Sequence, residues 1–170
     1  ELCEPGLTGF SGRASVIGEL ARSLGLHVDV LQPFHDFEGL RGDARKAAFS
    51  RLDHKLDMMR ALGARTLLIG SSTHPDATSD IAQLVEDFRQ LADRAERAGC
   101  RAALIALPWA RHITTELQAL KIVAAVDSPA FGIALNSFFA LAGGAQAARL
   151  RDIPGDRIFH VQLSDAPALD

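Results

Sequence analysis

The sequence predicts an α/β fold, a parallel sheet of alternating βα units with helices on its outer side. Three observations lead to it. Short apolar runs such as Thr66 to Ile69 and Ala102 to Leu107 empty into polar loops, as strands of a buried parallel sheet do. Longer segments between them carry apolar residues at helical spacing, several of them ended by a glycine. The two kinds alternate, with strands recurring roughly every 30 residues, the span of a right-handed βαβ crossover.

Each element is justified in turn. Residues 1–12 are turn-rich, with Pro5, Gly6, Gly9 and Gly12. A helix is expected from Arg13 to Leu24, where Val16, Ile17, Leu20, Ala21 and Leu24 share a face and Gly25 follows. His27 to Gln32 reads as a strand that ends in the polar, aromatic loop Pro33 to Gly39. The next helix runs from Asp43, a plausible cap, to Leu62, and Gly63 stops it. Thr66 to Ile69 is a buried strand followed by the Gly70 to Pro75 loop. Ser79 to Ala98 is helical, with Ile81, Leu84, Val85, Phe88, Leu91 and Ala95 inward. Ala102 to Leu107 is a strand leading into Pro108 to His112. Thr115 to Val126 is a helix with Leu117, Leu120, Val123 and Ala124 inward. Phe131 to Leu135 is a strand ending at Asn136, and Ala140 to Leu150 a small-residue helix. The last strand, Arg157 to Leu163, is expected to be buried for most of its length and polar at its end. The count is five strands in one domain spanning residues 1–170.

The totals exclude several classes. A net charge of −3 provides no basic field for nucleic acid or for an anionic membrane surface. No apolar run approaches the ~20 residues of a membrane span. Two cysteines make neither a disulfide scaffold nor a metal-type cluster, so a reducing cytoplasm is the default location.

Four segments carry a family resemblance: Gln32-Pro33-Phe34-His35-Asp36-Phe37-Glu38-Gly39, Ala106 to His112, Gly132 to Phe139, and Ile153 to Pro167. In that order they resemble the 3-dehydroshikimate dehydratases, often fused to a 4-hydroxyphenylpyruvate dioxygenase-like domain, within the xylose isomerase-like TIM barrels that also include sugar-phosphate isomerases and epimerases. The resemblance implies a (β/α)8 barrel, here partial, lacking its first strands and its last. It implies Mg²⁺ or Mn²⁺ at the carboxyl ends of the strands, a small polyhydroxy-acid substrate, and dehydration of 3-dehydroshikimate to protocatechuate.

Two departures accompany the likeness. A partial barrel leaves two parallel strand edges bare, so a second copy or a complementary chain is expected to cover them. The family's metal ligands are a Glu, an Asp, a Gln and a last Glu. The first falls on Ile105, the second on Asn136 and the third on Gln162, while the fourth lies past Asp170. Hard cations draw most of their attraction from carboxylates, so Asn136 and Gln162 form a weak pair and no tightly bound cofactor is expected. The family's His after Ser-Phe is Phe139, and the Arg of its Pro-Phe-Arg-Asp-Phe loop is His35.

Candidate catalytic groups are His35, Asp36 and Glu38, as a possible acid/base cluster, and Arg111 and His112, as a carboxylate-binding pair. The plainer reading of the first three is a loop held by side-chain-to-backbone bonds with exposed charges, and of the last two a helix-entry loop with a solvated Arg111. Trp109 reads as a packing anchor and His160 as a satisfied core histidine. Three functions stay open: a dehydratase- or isomerase-like enzyme, a metal-deficient structural or regulatory subunit, and a fragment of a larger fusion protein.

Overall fold

A computed structural model describes residues 1–3, 13–142 and 150–164. Among them, strands and helices alternate: β1 (Leu2–Cys3), α1 (Ala14–Ser23), β2 (Val30–Phe34), α2 (Gly42–Leu62), β3 (Thr66–Gly70), α3 (Ile81–Arg97), β4 (Arg101–Ile105), α4 (Glu116–Val126), β5 (Phe131–Asn136), α5 (Ser137–Ala142) and β6 (Ile158–Gln162). All strand pairs are parallel and the six strands lie in chain order. This is the expected part of a βα barrel, with one correction. The described residues form six strands rather than five, because two residues of the opening segment pair with β2 (Leu2 with Leu31, Cys3 with Gln32). Such a short edge pairing has no period for a sequence pattern to reveal.

Alternate strand residues face opposite sides of the sheet, and the apolar residues divide accordingly. Leu31, Leu67, Ile69, Leu104, Phe131 and Ile133 point outward and form the main core with Leu52, Met59, Phe88 and Leu91 of the helices. Val30, Leu68, Ala103, Ile105, Leu107 and Ala134 point inward as a second, smaller cluster. The sheet is strongly curled. Lying flat, its five strand spacings of about 4.8 Å would hold the outer strands ~24 Å apart. Instead the Glu1 carboxylate beside β1 bonds His160 and Gln162 of β6 across the interior.

The helices start and stop for local reasons. Asp80 caps α3 by accepting from the Ala82 N–H, and Thr115 and Gln118 form a capping box at α4. Gly63 ends α2 with φ 77°, a conformation that favours glycine. The expected Asp43 cap is not one: α2 begins at Gly42 with Arg41 as its N-cap, and Asp43 lies in the first turn bonded to Lys46.

Several expected inward faces are corrected. On α1 the residue packed against α2 is Gly18, where a Cβ would come within 2.7 Å of the Ala61 carbonyl. That approach turns Val16, Leu20 and Leu24 outward, to 47%, 47% and 65% exposure. On α4 the buried set is Glu116, Ala119, Ile122, Val123 and Val126; Leu120 packs against the core half-buried as expected, while Leu117 is half-buried and Ala124 exposed. Ile81 is exposed at the start of α3. β6 is half-buried rather than buried, because it is an edge strand with Val161 and neighbouring Leu163 exposed. The expected helix from Ala140 to Leu150 begins earlier, as α5, and its residues 143–149 lie outside the described residues.

Candidate active-site cavity

The site is built from the loops that leave the carboxyl ends of the strands. After β2, Phe34 and Phe37 turn into the core, with ring centroids 5.6 Å apart, and Phe37 packs edge-on against Phe49 at 5.0 Å. With these two rings anchored, His35 and Asp36 are left facing the interior. Asp36 takes φ 52° at the tip. The Arg51 guanidinium donates to the His35 and Asp36 carbonyls at 3.2 and 2.6 Å. Behind the loop, fully buried Asp87 accepts from the Gly39 N–H at 2.9 Å, Arg45 Nε at 2.8 Å and Gln83 Nε2 at 2.9 Å.

The loop after β3 completes this wall. Asp36 Oδ1 accepts from the Thr73 N–H at 2.8 Å and the Thr73 hydroxyl at 3.1 Å. Burial pushes the Asp36 carboxyl up, but these bonds and the Ser72 hydroxyl outweigh it, leaving it below its ordinary range. Glu38 Oε1 accepts from the Ser72 N–H at 2.6 Å, while its Oε2 is buried without a partner. Burial pushes the Glu38 carboxyl up to about 7. The His35 ring lies where a Cβ on Gly70 would be, so only glycine at position 70 leaves room for it. Burial and the nearby Lys55 and Arg51 lower His35 more than Asp36 raises it, and the imidazole is neutral at neutral pH.

These walls enclose a cavity of ≈ 380 Å³. Its polar side carries Gln32, His35, Asp36, Thr73 and Gln162, and its apolar side Leu68, Ile105, Leu107, Trp109 and Phe139. Trp109 is 57% exposed and meets Phe139 edge-on at 5.1 Å, so it forms an aromatic rim rather than the expected packing anchor.

The five catalytic candidates are not brought together. His35 and Asp36 line the cavity. Glu38 sits behind them as the ligand of the Ser72 amide. Arg111 is exposed and does not line the cavity; its backbone N–H donates to the Ser72 carbonyl at 2.7 Å. His112 Nε2 bonds the Ala77 carbonyl at 2.8 Å, which is a loop-holding role.

Asn136 and Gln162 do meet. Asn136 Oδ1 accepts from the Phe139 N–H at 3.1 Å and the Ser164 hydroxyl at 3.2 Å. Its amide N–H₂ therefore faces inward and donates to Gln162 Oε1 at 2.9 Å. Gln162 Nε2 in turn donates to Glu1 Oε2 at 2.9 Å. Both amide oxygens are engaged as acceptors, and Ile105 presents only carbon. These three residues do not fit a divalent cation, which needs converging free oxygens. Among the described residues no group of three or more His, Cys, Asp or Glu is placed to hold a metal ion.

The match to known proteins covers almost the whole chain. Residues 7–170 match the model of the xylose isomerase-like TIM barrel family. The chain belongs to that family. It is 38% identical over 169 residues to the 3-dehydroshikimate dehydratase of Pseudomonas putida and 37% identical to that of Pseudomonas aeruginosa. It covers 99% of itself and 27% of each of those proteins, so it spans about a quarter of their length. A solved xylose isomerase-like TIM barrel/4-hydroxyphenylpyruvate dioxygenase fusion protein superposes with a TM-score of 0.94 at 38% identity, over 98% of this chain and 27% of that one. The zinc-binding IOLI protein shares the fold at a TM-score of 0.85 and 19% identity, over 98% of this chain and 60% of its own.

Within this xylose isomerase-like barrel, several contributors carry no marked signal in the sequence, Thr73 among them. Glu1 and Gln32 reach the interior only because the sheet curls, and Leu68 reads as ordinary core. Gly70 carried a usable signal, a glycine at a strand end where a backbone or ring must approach closely.

Proposed function

We propose that this chain supplies the ligand-binding cavity of a 3-dehydroshikimate dehydratase-like barrel, taking a small polyhydroxylated ring compound, with a deficient metal set and weak or no dehydratase activity of its own. Identity of 38% to a named 3-dehydroshikimate dehydratase supports the family chemistry. The observation that carries the deficiency is the Asn136–Gln162 amide pair, with carbon-only Ile105 in the cavity wall that Gln162 also lines. A neutral amide that turns its N–H₂ toward the site offers a cation repulsion in place of a charge.

The same reading places the chain in a reducing cytoplasm, in keeping with free Cys3 and Cys100. It gives the bare edges of β1 and β6 to a second copy or to a complementary chain. The Val16, Leu20 and Leu24 stripe supports that role, since grouped exposed apolar side chains mark surfaces that are covered in use.

The test incubates the 170-residue chain with 3-dehydroshikimate and Mn²⁺ while following protocatechuate absorbance and the fluorescence of Trp109, its single tryptophan. Little or no protocatechuate is expected to accumulate, and the Trp109 signal reports whether the ring acid enters the cavity at all. Turnover at the pace of a Pseudomonas relative assayed alongside would overturn the deficiency.

A further inference from the structure

The charge distribution around the cavity is one-sided. Among the described residues that line it there is no lysine or arginine. The nearest cations face elsewhere. Arg51 spends its guanidinium on the His35 and Asp36 carbonyls and stacks over the Phe34 ring. Lys55 donates to the Pro33 carbonyl at 3.2 Å. Both line a neighbouring depression that shares Pro33 and His35 with the cavity, and neither lines the cavity itself.

What the cavity does present is negative or neutral. Asp36 is held ionised by the Ser72 and Thr73 donors. The Glu1 carboxylate stands behind Gln162 and Gln32, bonded to both and to His160. His35 contributes a neutral ring. A carboxylate ligand here would lose its hydration against Ile105, Leu68 and the Trp109–Phe139 pair and meet the Asp36 carboxylate with no cation among the described lining residues to pair with directly, which is the costly case of burial. Hydroxyl groups suit the same wall, because the Asp36 carboxylate accepts from them. A flat or chair-shaped ring face suits the opposite, apolar wall. The volume of ≈ 380 Å³ lies within the ~300–1,000 Å³ of small-molecule sites.

We propose that this cavity selects an uncharged six-membered ring bearing hydroxyls and discriminates against the same ring bearing a carboxylate. The proposal rests on the reading that the cavity is a ligand site, and it departs from the acid substrate that the family resemblance implies. The substitution that creates the preference is His35, which stands where the resemblance places an arginine.

The test measures binding to the full chain at neutral pH, by calorimetry and Trp109 fluorescence, with two matched pairs of probes. Catechol is compared with protocatechuate, and a cis-cyclohexanediol with its ring carboxylate. The neutral member of at least one pair is expected to bind on the order of tenfold more tightly than its acid, one well-placed charge being enough for such a ratio. Which pair shows it tells an aromatic from a saturated ligand. His35→Arg is expected to bring the two members of that pair close to parity. Acids that bind wild type as tightly as their neutral partners in both pairs overturn the charge selection alone. If none of the four probes binds, the selection and the ligand-site reading fall together.

Discussion

Asn136 gives its amide N–H₂ to the Gln162 side-chain oxygen at 2.9 Å, while its own oxygen is taken by the Phe139 N–H. The backbone donor fixes which way the amide faces, so the pair is locked rather than adjustable. What the resemblance places there as ligand oxygens has become a donor and an acceptor satisfying each other.

Metal binding is the first consequence. Millimolar Mn²⁺ or Mg²⁺ is expected to leave the Tm of this chain unchanged, since a ligand stabilises only through preferential binding to the native state. Ile105→Glu combined with Asn136→Asp restores two acids beside Gln162 and is expected to produce a Mn²⁺-dependent rise of several degrees. Differential scanning fluorimetry with and without metal reads both.

Gly70 and His35 form a steric pair. Gly70→Ala is expected to expel the His35 ring and crowd Leu107 Cδ1, at 3.1 Å from the new carbon, costing about 1–3 kcal/mol. His35→Ala in the same chain should recover part of that loss. A double-mutant cycle by urea denaturation measures the coupling; additive losses would show that the ring and the glycine do not compete for space.

Glu38 ties stability to pH. Its carboxyl titrates at about 7 when folded and at the ordinary 4.5 when unfolded. Between those values the folded state holds more protons, so this group lowers stability as pH rises. Glu38→Gln keeps the acceptor for the Ser72 N–H and removes the charge. Its stability relative to wild type is expected to grow from pH 4.5 to 7, by up to about 3 kcal/mol, and to flatten outside that window. Denaturant curves across that range check the sign.

Asp87 is fully buried and gathers Gly39, Arg45 and Gln83. Asp87→Ala is expected to cost about 3–5 kcal/mol, the range for breaking a buried charged network. Because Gly39 ends the cavity loop, ligand-induced Trp109 fluorescence changes should weaken in the same variant.

The α1 stripe is expected to drive self-association. Leu20→Lys and Leu24→Lys should raise the monomer fraction by light scattering at micromolar concentration. A wild type that is already a monodisperse monomer would remove the case for a covering partner.

The parallel βα architecture was legible because buried strands and amphipathic helices keep different periods, and five of the six strands announced themselves in that way. The rest depended on where neighbours stand. The helical stripe of α1 was visible, but its direction was set by Gly18, whose missing side chain rather than any apolar group makes the contact with α2. Asp36 and His35 were legible as a polar loop, and their aim followed from the buried Phe34 and Phe37 on either side. Arg111 looked like a ligand because it follows a strand, yet the loop turns it to solvent once Ser71 ties Ile113 and Leu107 together. Glu1 was invisible, since no local pattern reports a contact made across a curled sheet.

That last contact joins the first and last described strands. The Glu1 carboxylate spans the bore and fastens β6 to the start of β1, in the manner of a strut across an unclosed hoop. One acid and its three polar partners thus tie the two outermost described strands to each other through the interior.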